Sequence, residues 1–296
     1  MFLGKYWGEI DVFQVPKPSK SFWNTVSSIG HINLVTRAVE KRNYTKDEVL
    51  FQNERWHCFD AHSGLSDTSK EKLLEKLNFG IKCTLEQITN ATHIVITLGT
   101  SWVYRKKDTS VVVANCHKVP QKEFVKELLS IDAILKSVKN TVRTIQEANE
   151  KAQLVFTVSP VRHLKEGFVE NQRSKSHLIA AIHEAMSPRA QSRGLSYFES
   201  YELLMDELRD YRFYEADMVH PNQLAIDYIW EKFKEVWISE LAVKTMNKVE
   251  EIQKGLAHRP FHSDSVHHKE FRKSLGRKIA YLQQEYDFMK FGFQDI

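Results

Sequence analysis

The chain has 296 residues, 42% of them hydrophobic and 11% aromatic, enough to enclose one full-sized core. Lys and Arg total 42 against 38 Asp and Glu, a formal charge of +4 with the signs mixed along most of the sequence, which argues against a nucleic-acid binder. No apolar run approaches the roughly 20 residues that span a bilayer. Met1 to Ile10 lacks the basic start and apolar middle of a signal peptide, so the expected location is cytoplasmic. Cys58, Cys83 and Cys116 are odd in number and widely spaced, which suggests neither a disulfide framework nor a zinc ribbon.

In chain order, the first clear strand is His93-Ile94-Val95-Ile96-Thr97-Leu98, too continuously apolar for a sheet wet on one face, running into a turn at Gly99. Behind a Ser130 N-cap, Ile131, Leu135, Val138, Val142 and Ile145 recur every three or four residues and predict a packed crossover helix. Leu154-Val155-Phe156-Thr157-Val158 is a second continuous strand, ending at Pro160. Both read as central strands with functional loops at their carboxyl ends. Gly194 precedes a short strand around Leu195-Ser196-Tyr197-Phe198. Tyr201 to Leu208 reads as helical, and Pro221 as the opening of a helix whose Ile226, Ile229, Phe233 and Val236 share a face.

These four βα-like units predict an α/β protein built on a mostly parallel sheet, over residues 1–246. From about Asn247 the pattern changes. His258, His262, His267 and His268 crowd a basic loop, read as a surface connection, before an amphipathic stretch carrying Phe271, Leu275, Ile279 and Leu282. Residues 247–296 are thus expected to form a C-terminal helical extension packed on the same domain.

Ligands of open α/β sheets sit beyond the carboxyl ends of the strands, which directs attention to the loops after Leu98, Val158 and Phe198. The last contains Asp217-Met218-Val219-His220-Pro221. At the start of the helix that Pro221 opens, the positive dipole end would favour a neutral imidazole at His220, and Asp217 can reach the other ring nitrogen and fix its tautomer. The bland alternative makes Asp217 a helix-start carboxylate and His220 a capping or packing residue.

Four runs in order carry a resemblance: Thr97-Leu98-Gly99-Thr100-Ser101-Trp102-Val103-Tyr104, Asn115-Cys116-His117-Lys118, Thr157-Val158-Ser159-Pro160-Val161-Arg162-His163 and Asp206-Glu207-Leu208-Arg209-Asp210-Tyr211-Arg212-Phe213-Tyr214. From about Gly30 onward the chain resembles the GSCFA domain family, within the SGNH-hydrolase-like group. The resemblance implies a three-layer α/β/α, flavodoxin-like arrangement and matches Asp217 and His220 to the acid and base of SGNH enzymes. It places Gly99 and Thr100 at an oxyanion-stabilising block, with Thr100 where Asn is usual, and matches Gly30 in Ser27-Ser28-Ile29-Gly30 to the Gly of a second block. Asn171, Ser174 and Lys175 match a helix-opening run, read as capping or solvent-facing.

The family is named for a Gly-Ser-Cys-Phe-Ala run that carries the nucleophilic Ser. Its nearest match here is Phe2-Leu3-Gly4-Lys5-Tyr6-Trp7-Gly8-Glu9, with Lys5 where the Ser belongs. Either the first strand is missing from a truncated product, or the protein has diverged and lost the nucleophile. Ser101 and Ser159 are conceivable substitutes, although Ser159 reads more simply as a turn residue bonding the backbone. Arg162, followed by His163, is read evenly as a clamp for an anionic substrate group or as a partner of Asp206 or Asp210.

His57, Cys58 and His62 would catch a metal search, yet Cys58 occupies a Ser position in a similar family run, and a ligand that Ser can replace does not hold zinc. Trp102, Tyr104, Tyr211 and Tyr214 are either pocket lining or core. The expected function is therefore an ester hydrolase or acyltransferase acting on a small-molecule or carbohydrate-linked acyl ester, with no cofactor, metal, nucleic acid or membrane. The alternative is an inactive member of the family that serves as a binding protein.

Overall fold

The computed structural model describes residues 28–187, 194–262 and 265–292. The chain divides into two compact units between Ile229 and Trp230. In the larger unit, helix α1 (Ser28–Val39) is followed by a hairpin of β1 (Val49–Gln52) and β2 (Arg55–Cys58) and by α2 (Lys70–Asn90). Arg37 of α1 is buried, ion-paired with Glu48 and stacked 3.9 Å over the Tyr44 ring.

The principal sheet is parallel, in the order β3 (His93–Leu98), β7 (Gln153–Val158), β8 (Leu195–Phe198). β7 is the central strand, with every residue after Gln153 buried. β3, expected to be central as well, pairs only with β7 among the described residues, and four of its six residues are half-buried. Helix α3 (Ile131–Ala148) makes the crossover, its Ser130 Oγ accepting from the Ala133 N–H at 3.2 Å. Its buried stripe is Ile134, Val138, Thr141, Val142 and Ile145. Ile131 is exposed instead of starting that stripe, because Ile134 lies one turn deeper on the inward face. Helix α4 (Phe168–Met186) buries Leu178, Ala181, Ile182 and Ala185 in the same core.

The segment between β3 and α3 does not extend the parallel sheet. β4 (Trp102–Lys106), β5 (Val112–Val113) and β6 (Phe124–Leu128) form an antiparallel sheet in the order β5-β4-β6. Short turns join antiparallel strands without a crossover helix. Here the turn after β4 closes through Ser110 N–H to Lys106 O at 2.8 Å, with Ser110 at φ 57°. Val103 is buried while Trp102 and Tyr104 are half-exposed, the alternation of a sheet wet on one face. The stretch expected to be helical after β8 is a short helix, Ser200–Glu202, running into a π-helical turn, Leu203–Glu207.

Helix α5 spans Gln223–Trp237. It begins after Pro221 rather than at it, because the Asn222 side chain caps it, Oδ1 accepting from Ala225 N–H at 3.2 Å. Its buried positions are Ala225, Ile229, Trp230 and Phe233. Val236, expected on this face, is 70% exposed, one position round from the Phe233 stripe.

In the smaller unit, α6 (Glu240–Ala257) and α7 (Val266–Glu285) are capped by Ser239 and Ser265. Val249 and Ile252 pack with Leu275, Ile279, Leu282 and Met289. Gly255 permits the close approach, since a Cβ there would lie 2.7 Å from Leu275 Cδ1. Phe271 is 38% exposed and sits against the His258 and His268 rings, 5.4 and 6.1 Å away by centroids. No helix among the described residues is long and apolar enough to cross a membrane.

Candidate functional site

Pairing of Leu98 with Val158 brings the loops after β3 and β7 side by side. Ser159 N–H continues the ladder to Leu98 O at 2.9 Å, and Ser159 Oγ accepts from Val161 N–H at 3.3 Å, so this serine braces its own turn. Beyond Pro160, the His163 N–H donates to Asn171 Oδ1 of α4 at 2.8 Å.

Asn171, Ser174 and Lys175 do not face solvent. All three are buried on the inward side of α4, at spacings of three and four residues that put them on one stripe. Ser174 Oγ accepts from Ser101 N–H at 2.8 Å, and the Ser101 hydroxyl donates to Ser174 O at 3.0 Å. Thr100 Oγ1 lies 2.9 Å from Ser174 Oγ and accepts from Trp102 N–H at 3.1 Å, so its hydroxyl is committed to the interior. Lys175 is 0% exposed and donates to the carbonyls of Gly99 and Ser159, both at 2.6 Å. Burial pushes its ammonium down to about 7, because the charged form loses its hydration.

The third loop is a tight excursion between Phe213 and Asn222. Asn222 N–H donates to Phe213 O at 2.9 Å, Glu215 N–H to His220 O at 2.8 Å and Met218 N–H to Glu215 O at 2.9 Å. Asn222 Nδ2 also holds Arg212 O at 2.6 Å. At its tip Met218 takes φ 58°, which turns the chain so that Asp217 Oδ1 accepts from both Val219 and His220 N–H, at 2.8 and 3.0 Å. Asp217 Oδ2 then meets His220 Nδ1 at 2.6 Å. The His220 N–H, the His220 ring and the Val219 N–H hold the Asp217 carboxyl down at about 2. Since α5 starts only at Gln223, Asp217 rather than the helix end orients this imidazole. His220 Nε2 has no partner among the described residues.

Arg162 N–H donates to Val219 O at 3.2 Å and ties the second loop to the third. Its guanidinium lies over Tyr214 at 4.1 Å and Tyr211 at 5.4 Å. It pairs with neither Asp206 nor Asp210 among the described residues, because Arg212, two residues along the chain, takes Asp210 at 2.9 Å. His163 is pushed down to about 4 by burial and then by the nearby charges of Lys175 and His220. Gly99, Thr100, Ser159, Arg162, His163, Asp217 and His220 thus belong to one connected cluster.

Gly30 lies in the first turn of α1, and Lys5 lies outside the described residues. His57 has both ring nitrogens engaged, Nδ1 with Ser66 Oγ at 2.6 Å and Nε2 with Gln52 O at 2.9 Å. Its ring is 4.6 Å from that of His117, whose Nε2 meets Cys58 O at 2.6 Å. The aromatic residues divide: Tyr214 is buried, Tyr211 is 54% exposed beside the loop of His220, and Trp102 Nε1–H donates to Glu170 O at 3.5 Å. The residue whose place the sequence reading mistook is Lys175, expected to cap the helix or face solvent and found fully buried. Asn171, Ser174, Lys175 and Leu178 share one helical stripe with Ala181 and Ile182, and that spacing was the available signal.

The family model described as GSCFA family matches residues 9–233, and the model described as GSCFA domain protein, C-terminal domain, matches residues 249–292. No curated protein and no solved structure matches the chain.

Proposed function

The chain belongs to the GSCFA family, and on that premise we propose that it is an SGNH-like ester hydrolase or acyltransferase acting on a small acyl ester, free or carbohydrate-linked. The observation that carries this reading is the Asp217 carboxylate 2.6 Å from His220 Nδ1, with its other oxygen fixed by two backbone N–H groups. That arrangement keeps the proton on Nδ1 and leaves Nε2 as a base. A three-layer α/β/α arrangement and a cytoplasmic location belong to the same reading.

In this mechanism a hydroxyl oxygen attacks the acyl carbonyl and its proton passes to His220 Nε2. The carbonyl π electrons move to oxygen, where the backbone N–H groups of Gly99 and Thr100 stabilise the charge. Collapse expels the alcohol, which takes the proton back from His220. If the attacking hydroxyl belongs to the protein, water or a second alcohol then releases the acyl group by the same proton path. Lys5, where the family carries its serine, favours a second reading in which the scaffold binds an ester without cleaving it.

Hydrolysis of a short aryl ester separates the two. The catalytic reading expects His220→Ala to lower kcat/KM by about 10²–10⁴-fold, and a rate indifferent to that substitution would sink it. Stoichiometric labelling by a serine-directed phosphonate would remove the binding-only reading, and peptide mapping would name the nucleophile.

A further inference from the structure

The proposed reaction leaves one cation of the site without a task. Arg162 is half-buried, and several carboxylates of the neighbouring loops are taken by other cations: Asp217 by His220, Asp210 by Arg212 and Glu166 by Lys126. Among the described residues Arg162 has no ion-pair partner. It is nevertheless held in place, by its backbone bond to Val219 O and by the Tyr214 and Tyr211 rings beneath the guanidinium. The guanidinium carbon lies 4.1 Å from the centre of the Tyr214 ring, a contact that occupies no N–H donor. Apart from one interaction with the Tyr214 hydroxyl, the N–H groups at its edge remain for a planar anion.

We propose that Arg162 determines specificity for anionic acyl esters, binding a substrate carboxylate beside the carbonyl on which His220 acts. The ester chemistry rests on the reading above, whereas the anion site rests on the contacts of Arg162 alone. A Lys at this position would supply a point charge without the planar fork, so Arg162→Lys is expected to keep only part of the preference.

Two matched pairs of probes test this with the full chain. The first compares hydrolysis of para-acetoxybenzoate with that of the neutral para-acetoxybenzamide. Wild type is expected to favour the benzoate in kcat/KM by about tenfold to a hundredfold, the range of a charge-assisted hydrogen bond. The ratio falls to near unity in Arg162→Gln and to an intermediate value in Arg162→Lys, with circular dichroism reporting whether each variant is folded. The second, by calorimetry, compares binding of para-hydroxybenzoate and para-hydroxybenzamide. The benzoate is expected to bind wild type more tightly than the benzamide, to keep that preference in His220→Ala, and to bind Arg162→Gln about tenfold or more weakly than wild type. Absence of benzoate binding, equal binding of benzoate and benzamide, or binding unchanged in Arg162→Gln overturns the anion site. Hydrolysis that ignores His220 while benzoate binding depends on Arg162 overturns the ester-hydrolase reading and leaves the anion site standing.

Discussion

Lys175 Nζ donates to the carbonyl oxygen of Gly99 at 2.6 Å from a position with no solvent exposure. Its second bond, to Ser159 O, joins the ends of two neighbouring parallel strands through one ammonium. In a trans peptide the N–H points away from the preceding carbonyl, so fixing Gly99 O also fixes the direction of the Thr100 N–H. A helix residue remote in sequence thereby sets the geometry of the turn proposed to stabilise the oxyanion.

Lys175 gives a pH signature. Its folded value is about 7 and its ordinary value 10.5. Between these values the unfolded chain holds a proton that the folded lysine has released, so stability rises with pH from 7 to 10.5. Below pH 7 both states are charged and the cost of burying the charge is fully present. Urea midpoints across this window are expected to climb in wild type and to lose that component in Lys175→Met. The same variant leaves two buried carbonyls without their donor, at about 1–3 kcal/mol each. An unchanged slope would contradict the charge burial.

The acid side belongs to His117 and His163. Burial brings each down to about 4 from 6.5. As pH falls through this interval the unfolded chain takes up protons that the folded histidines refuse, so stability drops, and below about 4 their contribution is gone. His117→Gln is expected to flatten the fall in unfolding midpoint between pH 6.5 and 4. A slope identical to wild type would exclude His117 as a source.

Asp217→Asn tests the tautomer. An amide NH₂ facing His220 Nδ1 would donate to it and move the ring proton to Nε2, removing the base. Ester hydrolysis is expected to fall by about 10²–10⁴-fold, while the unfolding midpoint stays near wild type because both side chains are about half exposed. Retained activity would assign Asp217 to shaping the loop alone.

Asn222 joins the loop to the helix that follows. Asn222→Ala removes the α5 cap and the bonds to Arg212 O and Tyr214 O. The cap alone is worth about 1 kcal/mol. Thermal unfolding is expected to shift down, and kcat to fall as the Asp217–His220 loop loosens. A variant with full activity and stability would show that the loop holds its shape without this side chain.

Much of this was legible along the chain wherever the signal was local. Strands β3 and β7, the Ser130 cap and the helix behind it follow from short-range hydrophobicity and capping. The Asp217–His220 pair is also local, since three residues and one left-handed turn at Met218 suffice to close it. The antiparallel sheet of β4, β5 and β6 was missed although Val103 alternates with Trp102 and Tyr104, because a regular βα reading absorbed the segment. Arg162 stayed open between an anionic substrate group and Asp206 or Asp210, and the fold removed the ion pair by giving Asp210 to Arg212 and setting Arg162 over two tyrosine rings.

Residue order by itself determined the family, the parallel strands, the amphipathic stretch of the last helix and the pairing of Asp217 with His220, because each depends on periodicity or on neighbours a few residues apart. The tertiary structure alone decided that Lys175 and Ser174 are interior, that Thr100 turns its hydroxyl inward, and which loops meet at His220. Burial of a polar side chain depends on what packs over it. For Lys175 those partners are Gly99, 76 residues away, and Ser159 on the adjoining strand.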